Sequence, residues 1–472
     1  VAALDDTLRN LLNALDRSRF DLAKYDAYLE NEQPIRFIAP SLQKEFGERI
    51  TALIINWPRL VTGAFEERLD VEGFRYAGNS SGDEALWEIW QANDLDEQSQ
   101  QGHFESIGLS RSYVFVGAGE SQDDAPVVTI ESPMQVFARR DPRTRRVIEA
   151  VKRWDVGDIT ERGSFEQHAM LYTEGRRCEY IFDGAKGWRG YAPADEYDKS
   201  IMPVVPLVNQ PRILRPDGRS EFTDIIPLAD AANKMATDMM VSGEYHAMPR
   251  RWAAGLKESD FVDENDQPLS AWSRDAGTLW STENEKATFG QFKETDLVVF
   301  HNTIKLLGQL TIQLTGLPPH YTAFAGGEAN PTSGEAINAS EAQLVKRAER
   351  KQTYLGGAWE EVQRLVLRFQ TGTWDPKARS LETIWRDPST PTLAQKADAI
   401  MKLATPVQGG RAILPIEQAR IDLGYTPEQR TRMAEMDREA LQDPYLATLA
   451  QKDTPPSAGV TDGPAEPAAV SG

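Results

Sequence analysis

From Leu4 to about Leu29, apolar residues recur every three or four positions: Leu8, Leu11, Leu12, Leu15, Phe20 and Leu22. That spacing predicts one stripe of an amphipathic helix. A second helix is predicted over Ser41 to Leu69, with Ile50, Leu53, Ile54, Leu60, Val61 and Phe65 on one face. Pro58 falls inside it and is expected to bend or break it. Shorter helices follow near Asp83–Gln91 and Asp96–Ile107. The period then changes to two. "SYVFVGAG", "PVVTIES", "MQVFARR", "VIEAVKRWDV", "EQHAMLYT", "RCEYIFDG" and "GWRGY" read as strands between turn residues, with Asp183-Gly184 as a hairpin turn. "MPVVPLVN" closes this region near Asn209. Ser112–Asn209 is therefore expected to be an α+β unit sharing a core with the N-terminal helices.

Helical spacing returns after Ser220 or Thr223, either of which can cap a helix running to about Tyr245. Phe222, Ile225, Ile226, Ala229, Met235 and Met239 form its inward face. Short tryptophan-rich strand candidates occupy Arg250 to Phe292: "RRWAAGL", "LSAWS", "GTLWST" and "ATFGQF". Another helix spans Asp296 to Leu314, with Phe300, Ile304, Leu307, Thr311 and Leu314 on one face, so a small β module sits between two helices that can pair antiparallel. The stretch "TGLPPHYTAFAGGEANPTSGEA" then holds two prolines in a row, a Gly-Gly pair and almost no charge. Loops of this length are functional or disordered. Asn330-Pro331 or the capping box from Thr332 to Glu335 opens a long helix to about Gln370, through Ile337, Leu344, Ala348, Leu355, Trp359, Val362, Val366 and Phe369. At 1.5 Å per residue it is roughly 57 Å long. Gly356-Gly357 inside it is an expected kink. "LETIWRD" reads as a strand, and two or three helices between Pro391 and Ala450 end the patterned chain. Lys452–Gly472 has little to bury and is expected to be disordered.

Composition narrows the function classes. The chain of 472 residues has room for two to four domains, with 40% hydrophobic and 26% charged residues. Its 72 acidic and 52 basic residues give a formal charge of -20, which disfavours wrapping DNA around a basic face. It does not exclude a protein that must keep DNA from sticking, since a like-charged wall repels phosphate. Cys178 is the single cysteine, so an intrachain disulfide and a cysteine zinc site are excluded and a reducing compartment is expected. No apolar run approaches a membrane span, and the first residues lack a signal-peptide core. Val1 is not methionine, so residues can precede it.

No motif in the sequence points to catalytic chemistry. "VFVGAGESQDD" offers Gly117 and Gly119 but no third glycine and no following helix, so a plain turn is the better reading. No phosphate loop and no G-x-S-x-G elbow occur. His103, His168, His246, His301 and His320 are scattered, and none has a metal-spaced partner. Asp260, Asp263, Glu264 and Asp266 lack the glycine and final glutamate of a calcium loop. Two basic clusters remain. Arg139, Arg140, Arg143, Arg145 and Arg146 surround an Asp-Pro turn, and a solvated hairpin is favoured over a nucleic-acid contact. Lys346, Arg347, Arg350 and Lys351 lie on the long helix with Glu341, Glu349, Glu360 and Glu361, so a solvated helix face is expected.

The order from Pro203 onward carries a resemblance. "MPVVPLVNQPR", "GRSEFTDIIPLADAANKMATDMMVSGEYHAMPRRWAAG" and "LTGLPPHYTAFAGGEANPTSGEAINASEAQLVKRAERKQTYLGGAWEEVQRLV", with N-terminal "NWPRLVTGAFEERLDVEGF", resemble portal proteins of tailed bacteriophages. The likeness is to the siphophage-type branch common in phages of actinobacteria, and it covers Leu4 to Ala450. It implies a mainly helical α+β portal fold in a homo-oligomeric, dodecameric ring at one capsid vertex of the virion, assembled in the host cytoplasm. Double-stranded DNA passes through such a ring, and terminase, a head-completion adaptor, the major capsid protein and scaffolding protein are its implied partners. No membrane, cofactor or metal is implied. Carried over in order, 1–210 is the wing, 211–248 the first stem helix, 249–295 the clip and 296–315 the second stem helix. Then 316–331 is the tunnel loop, 332–390 the long wing helix and wing strand, 391–450 the crown and 451–472 the tail.

The resemblance places Leu317, Pro318, Pro319, His320, Tyr321, Thr322, Phe324, Gly326, Gly327 and Asn330 along the DNA channel. It places Arg250, Arg251, Trp252, Trp272 and Trp280 at the clip interface, while Gly356 and Gly357 form the helix hinge. The low charge of the loop fits a narrow channel, where basic side chains would trap phosphate. An ordinary long helix–helix connection is the alternative. For the whole chain the alternatives are another ring-forming connector and a carboxylate-dependent phage enzyme. The order of elements disfavours the first, and the missing motifs disfavour the second.

Overall fold

The computed structural model describes residues 2–34, 53–79, 81–119, 124–157, 166–247, 251–255, 286–291, 296–321, 334–389, 393–405, 412–425 and 427–442. They fall into two compact units, 1–389 and 390–472.

Helix α1 (Ala2–Leu29) buries the expected stripe of Leu8, Leu11, Leu12, Leu15 and Leu22, but Phe20 is 84% exposed. Helix α2 spans Trp57–Glu66, with the Asn56 side chain accepting the Arg59 N–H at 2.9 Å. Pro58 therefore starts this helix instead of breaking it, since a first-turn N–H has no intrahelical partner to lose; residues 41–52 of the expected helix lie outside the described residues. Strand β1 (Val71–Tyr76) had not been expected.

After α3 (Glu84–Ala92) and α4 (Leu95–Leu109), β2 (Arg111–Gly117) runs between β3 (Val127–Glu131) and β10 (Val204–Val208) in an antiparallel sheet. The near-continuous apolar run of β2 is explained by burial on both faces. A second antiparallel sheet is ordered β4 (Val136–Arg140), β5 (Val147–Val156), β6 (Glu166–Thr173), β7 (Arg176–Asp183) and β8 (Gly187–Gly190), with short β9 (Asp195–Glu196) on β7. The β7–β8 hairpin pairs Asp183 with Gly187, so its loop holds three residues and not Asp-Gly alone.

Helix α5 (Ile226–Ala247) leads to β11 (Arg251–Ala254), which pairs antiparallel with β12 (Thr288–Gln291). Helix α6 (Val298–Thr315) returns and packs on α5. Helix α7 (Gly334–Thr371) is 38 residues long and unbroken through Gly356-Gly357. It crosses the main core with Leu344, Ala348, Leu355, Trp359, Val362 and Val366 buried. Trp359 packs edge-on to Trp90 at 4.9 Å and donates its indole N–H to His103 Nε2 at 2.8 Å. Enclosure in this apolar centre lowers the His103 pKa to about 3. Strand β13 (Leu381–Trp385) follows α7 and pairs antiparallel with β1.

The second unit contains α8 (Leu393–Ala404), α9 (Ile416–Asp422) and α10 (Pro427–Gln442). Arg420 of α9 bridges to Asp437 of α10 at 2.5 Å.

Candidate channel segment and its anchors

The segment between α6 and α7 is described at both of its bases. Gly316 ends α6 in the left-handed region at φ 73°, and its N–H reaches the Ile312 carbonyl at 2.7 Å. A Cβ there would lie 2.8 Å from the flexible Gln343 side chain of α7, which can shift, so the positive φ is what favours glycine. Leu317 is 3% exposed and joins the main core, and Pro318 is also buried. Within this chain those two residues anchor the first base of the segment. Pro319–Tyr321 form a 3-10 turn with His320 exposed and Tyr321 half-buried, their rings 4.9 Å apart. Thr322, Phe324, Gly326, Gly327 and Asn330 lie outside the described residues, as do both candidate caps of the long helix before Gly334.

One cation ties the two bases together, and two more fix α7 to the rest of its unit. Arg347 of α7 donates to the Thr315 carbonyl at 2.5 Å and the Leu314 carbonyl at 3.1 Å, capping the orphan acceptors and negative end of α6. One turn further on, Lys351 is buried. It donates to Asn209 Oδ1 at 2.6 Å and to the Glu221 carboxylate, which also accepts from Gln210 at 2.7 Å. Its ammonium lies 4.8 Å from the Phe65 ring centroid. Burial depresses the Lys351 pKa, opposed by the Glu221 charge. Arg68, also buried, bridges to Glu341 at 3.4 Å and donates to the Pro388 carbonyl at 2.5 Å.

The expectation of a solvated basic face on α7 is thus corrected for two of its four members. Lys346 does pair locally with Glu349, and Arg350 is exposed. Arg347 and Lys351 turn inward. A signal for Lys351 lay in the sequence: it falls three residues after Ala348 and four before Leu355, on the buried stripe. The Arg139–Arg146 cluster is a hairpin turn, with Arg139 paired to Glu149 at 2.6 Å and Asp141 accepting from Thr144 at 2.7 Å.

At the β module, Trp252 is 40% exposed and lies over Gly290, where a Cβ would come within 2.4 Å of the indole. Arg251 is paired in β11, opposite Gln291. Arg250, Trp272 and Trp280 are outside the described residues. In α7 a Cβ on Gly356 would meet Trp385 Nε1 at 3.1 Å, and the Gly356 carbonyl accepts from Thr383 Oγ1 at 3.1 Å. Gly356 thus serves close packing of β13 on the helix, whereas Gly357 has open space beside it.

Helix α6 has a second apolar face. Ile304, Gly308, Thr311 and Thr315 are buried, while Val298, Val299, Leu306, Leu310 and Leu314 stand 38–62% exposed. Leu314, expected inward, is therefore on the open side. A helix apolar on both faces is one that has a further neighbour to meet. Among the described residues no cluster of three or more His, Cys, Asp or Glu is placed to hold a metal, and no helix is long and apolar enough to cross a membrane.

The chain is 31% identical over 453 residues to the portal protein of Mycobacterium phage L5, covering 94% of this chain and 90% of that one. It is 31% identical to the portal protein of Mycobacterium phage D29, covering 94% and 91%. A chain from the neck of a native GTA particle aligns with a TM-score of 0.45 at 13% identity, covering 82% of this chain and 93% of that one. Residues 8–442 match the family model described as phage portal protein, SPP1 Gp6-like, and the chain belongs to that portal family.

Proposed function

We propose that copies of this chain close into a ring at one capsid vertex and conduct double-stranded DNA during packaging and ejection. The observation that carries this reading is the open apolar face of α6, which a single chain leaves in water and an adjacent copy would cover. In this reading α5 and α6 are the stem, and the β11–β12 module with the segment between them is the clip that terminase and then the adaptor grip. The segment after Leu317 narrows the channel, with Pro319, His320, Tyr321, Thr322, Phe324, Gly326, Gly327 and Asn330 toward the DNA. The chain carries no chemistry of its own.

The test uses an assembled phage and two variants. Deleting Ala323–Glu328 should leave ring formation and thermal stability nearly unchanged, because the anchors at Leu317, Arg347 and Lys351 remain, yet shorten the packaged DNA. Thr322→Lys should slow packaging, more so at low salt, by facing phosphate with positive charge. Normal packaging by both variants would remove the channel role from this segment.

A further inference from the structure

We infer that the cleft beside the 211–219 turn is a docking surface for a second copy of this chain, gripped by an Ile213–Leu214 tip and an arginine rim; this rests on the ring reading above. Arg212 and Arg215 exchange backbone hydrogen bonds at 3.1 and 2.9 Å, so Ile213 and Leu214 form the tip of a tight turn. They are 82% and 91% exposed, and Leu214 is the most exposed large apolar side chain among the described residues. Such tips ordinarily take Gly, Asn or Asp. The turn is held firmly behind the tip. The Arg219 N–H donates to the Asn209 carbonyl at 3.0 Å, and Arg140 lies 3.8 Å from Asp217. Gly218 sits at φ 76°, where a Cβ would fall 2.3 Å from the Asn209 oxygen. A tip already fixed in place loses little freedom on contact.

Next to the tip lies a cleft of about 400 Å³ between the turn, the start of α5, the end of α6 and α7. Its apolar walls include Leu314 and Tyr354, 51% and 44% exposed. Its cations are Arg212, Arg219, Arg347, Arg350 and Lys351, and its two carboxylates, Glu221 and Asp224, are already taken by Lys351 and Arg219. The side chains of Arg212, Arg215 and Arg350 have no acidic partner among the described residues. Inside, Ser220 Oγ is without a partner although the residue is only 2% exposed.

The composition decides the class of partner. Arginine, tyrosine and aliphatic side chains are enriched at protein interfaces, and the one exposed carboxylate of the cleft, Asp224, is paired with Arg219. The exposed Ile213–Leu214 tip adds apolar area that contacts to a phosphate backbone do not use, which favours a protein partner. The positive rim stands on a chain of formal charge -20, so a second copy carries a net charge opposite in sign to the rim.

The experiment compares the full-length chain with Ile213→Asp/Leu214→Asp and with Arg350→Glu, by native mass spectrometry and sedimentation across concentration. Since all three side chains are exposed, the melting temperature of the unassembled chain should stay the same. The double variant should need at least about 100-fold more protein to assemble, from the lost burial of two aliphatic side chains per contact. Arg350→Glu should weaken assembly and reduce its sensitivity to salt. Wild-type rings with unaffected variants would overturn this inference and leave the ring reading standing. Loss of duplex-DNA binding with normal assembly would also overturn it, in favour of a phosphate site. A wild-type chain that stays monomeric removes both.

Discussion

Replacing Lys351 with methionine tests the buried anchor of α7 most directly. The Lys351 and Glu221 side chains are 4% and 2% exposed, so neither is appreciably screened by water. Removing the cation leaves the Glu221 carboxylate buried with amide donors from Gln210 at 2.7 Å and Asn209 at 3.3 Å. Breaking one side of such a buried pair costs about 3–5 kcal/mol, whereas replacing both partners by neutral groups is often near neutral. The ammonium over Phe65, 4.8 Å away, adds about 1–2 kcal/mol in a desolvated site. Lys351→Met should therefore lower unfolding stability by at least about 4 kcal/mol, and Glu221→Gln/Lys351→Met should recover at least half of that loss. Burial already depresses the Lys351 pKa, and losing Glu221 depresses it further. Glu221→Gln alone should thus cost less as pH rises, since Lys351 can then shed its proton. Urea unfolding of the monomeric form at two pH values reads all three variants. A loss below about 1 kcal/mol for Lys351→Met, or a double variant as poor as the sum of the singles, would refute a buried, coupled pair.

Other expectations follow from single groups. Gly357→Ala should raise stability by up to about 1 kcal/mol, as open helix interior does, whereas Gly356→Ala should lower it by pressing on Trp385; equal effects in thermal melts would contradict the packing assignment. The His103 pKa of about 3 means that its neutral form is favoured by folding, with full stability above about pH 6.5 that is lost as pH falls. The loss should reach about 2 kcal/mol at pH 5, and His103→Gln should remove that acid slope in urea titrations. Glu105 behaves oppositely, its carboxyl pushed up to about 7 by burial. Its contribution is present below about pH 4.5 and lost as pH rises through 7, so Glu105→Gln should stabilise at pH 8 and be near neutral at pH 4.5.

Much of the frame was legible because period carries it. The stripe Leu344, Ala348, Leu355, Trp359, Val362 and Val366 set the long helix, and strands such as Val147–Val156 lie where alternation put them. Pairings across long separations were not legible. Strand β1, with Glu72, Gly73 and Arg75 interrupting its apolar positions, is defined by its ladder to β13, some 300 residues later. Charge also misled. Lys351 carried a surface expectation that its position on the buried stripe outweighs, because Glu221 and Asn209 arrive from elsewhere in the chain to satisfy it. Leu317 looked like loop, yet the αL turn at Gly316 directs it into the core. Periodicity supplied the order of elements and the family resemblance their expected roles, while the anchoring contacts arise only where distant segments meet in the fold.

The most direct test of the account is a cryo-electron-microscopy reconstruction of the purified full-length chain without imposed symmetry. The expected result is a closed ring around an open channel, with Val299, Leu306 and Leu310 of α6 covered by an adjacent copy and the segment after Leu317 nearest the axis. A monomer at every concentration, or a ring with that segment on its outer wall, would contradict it.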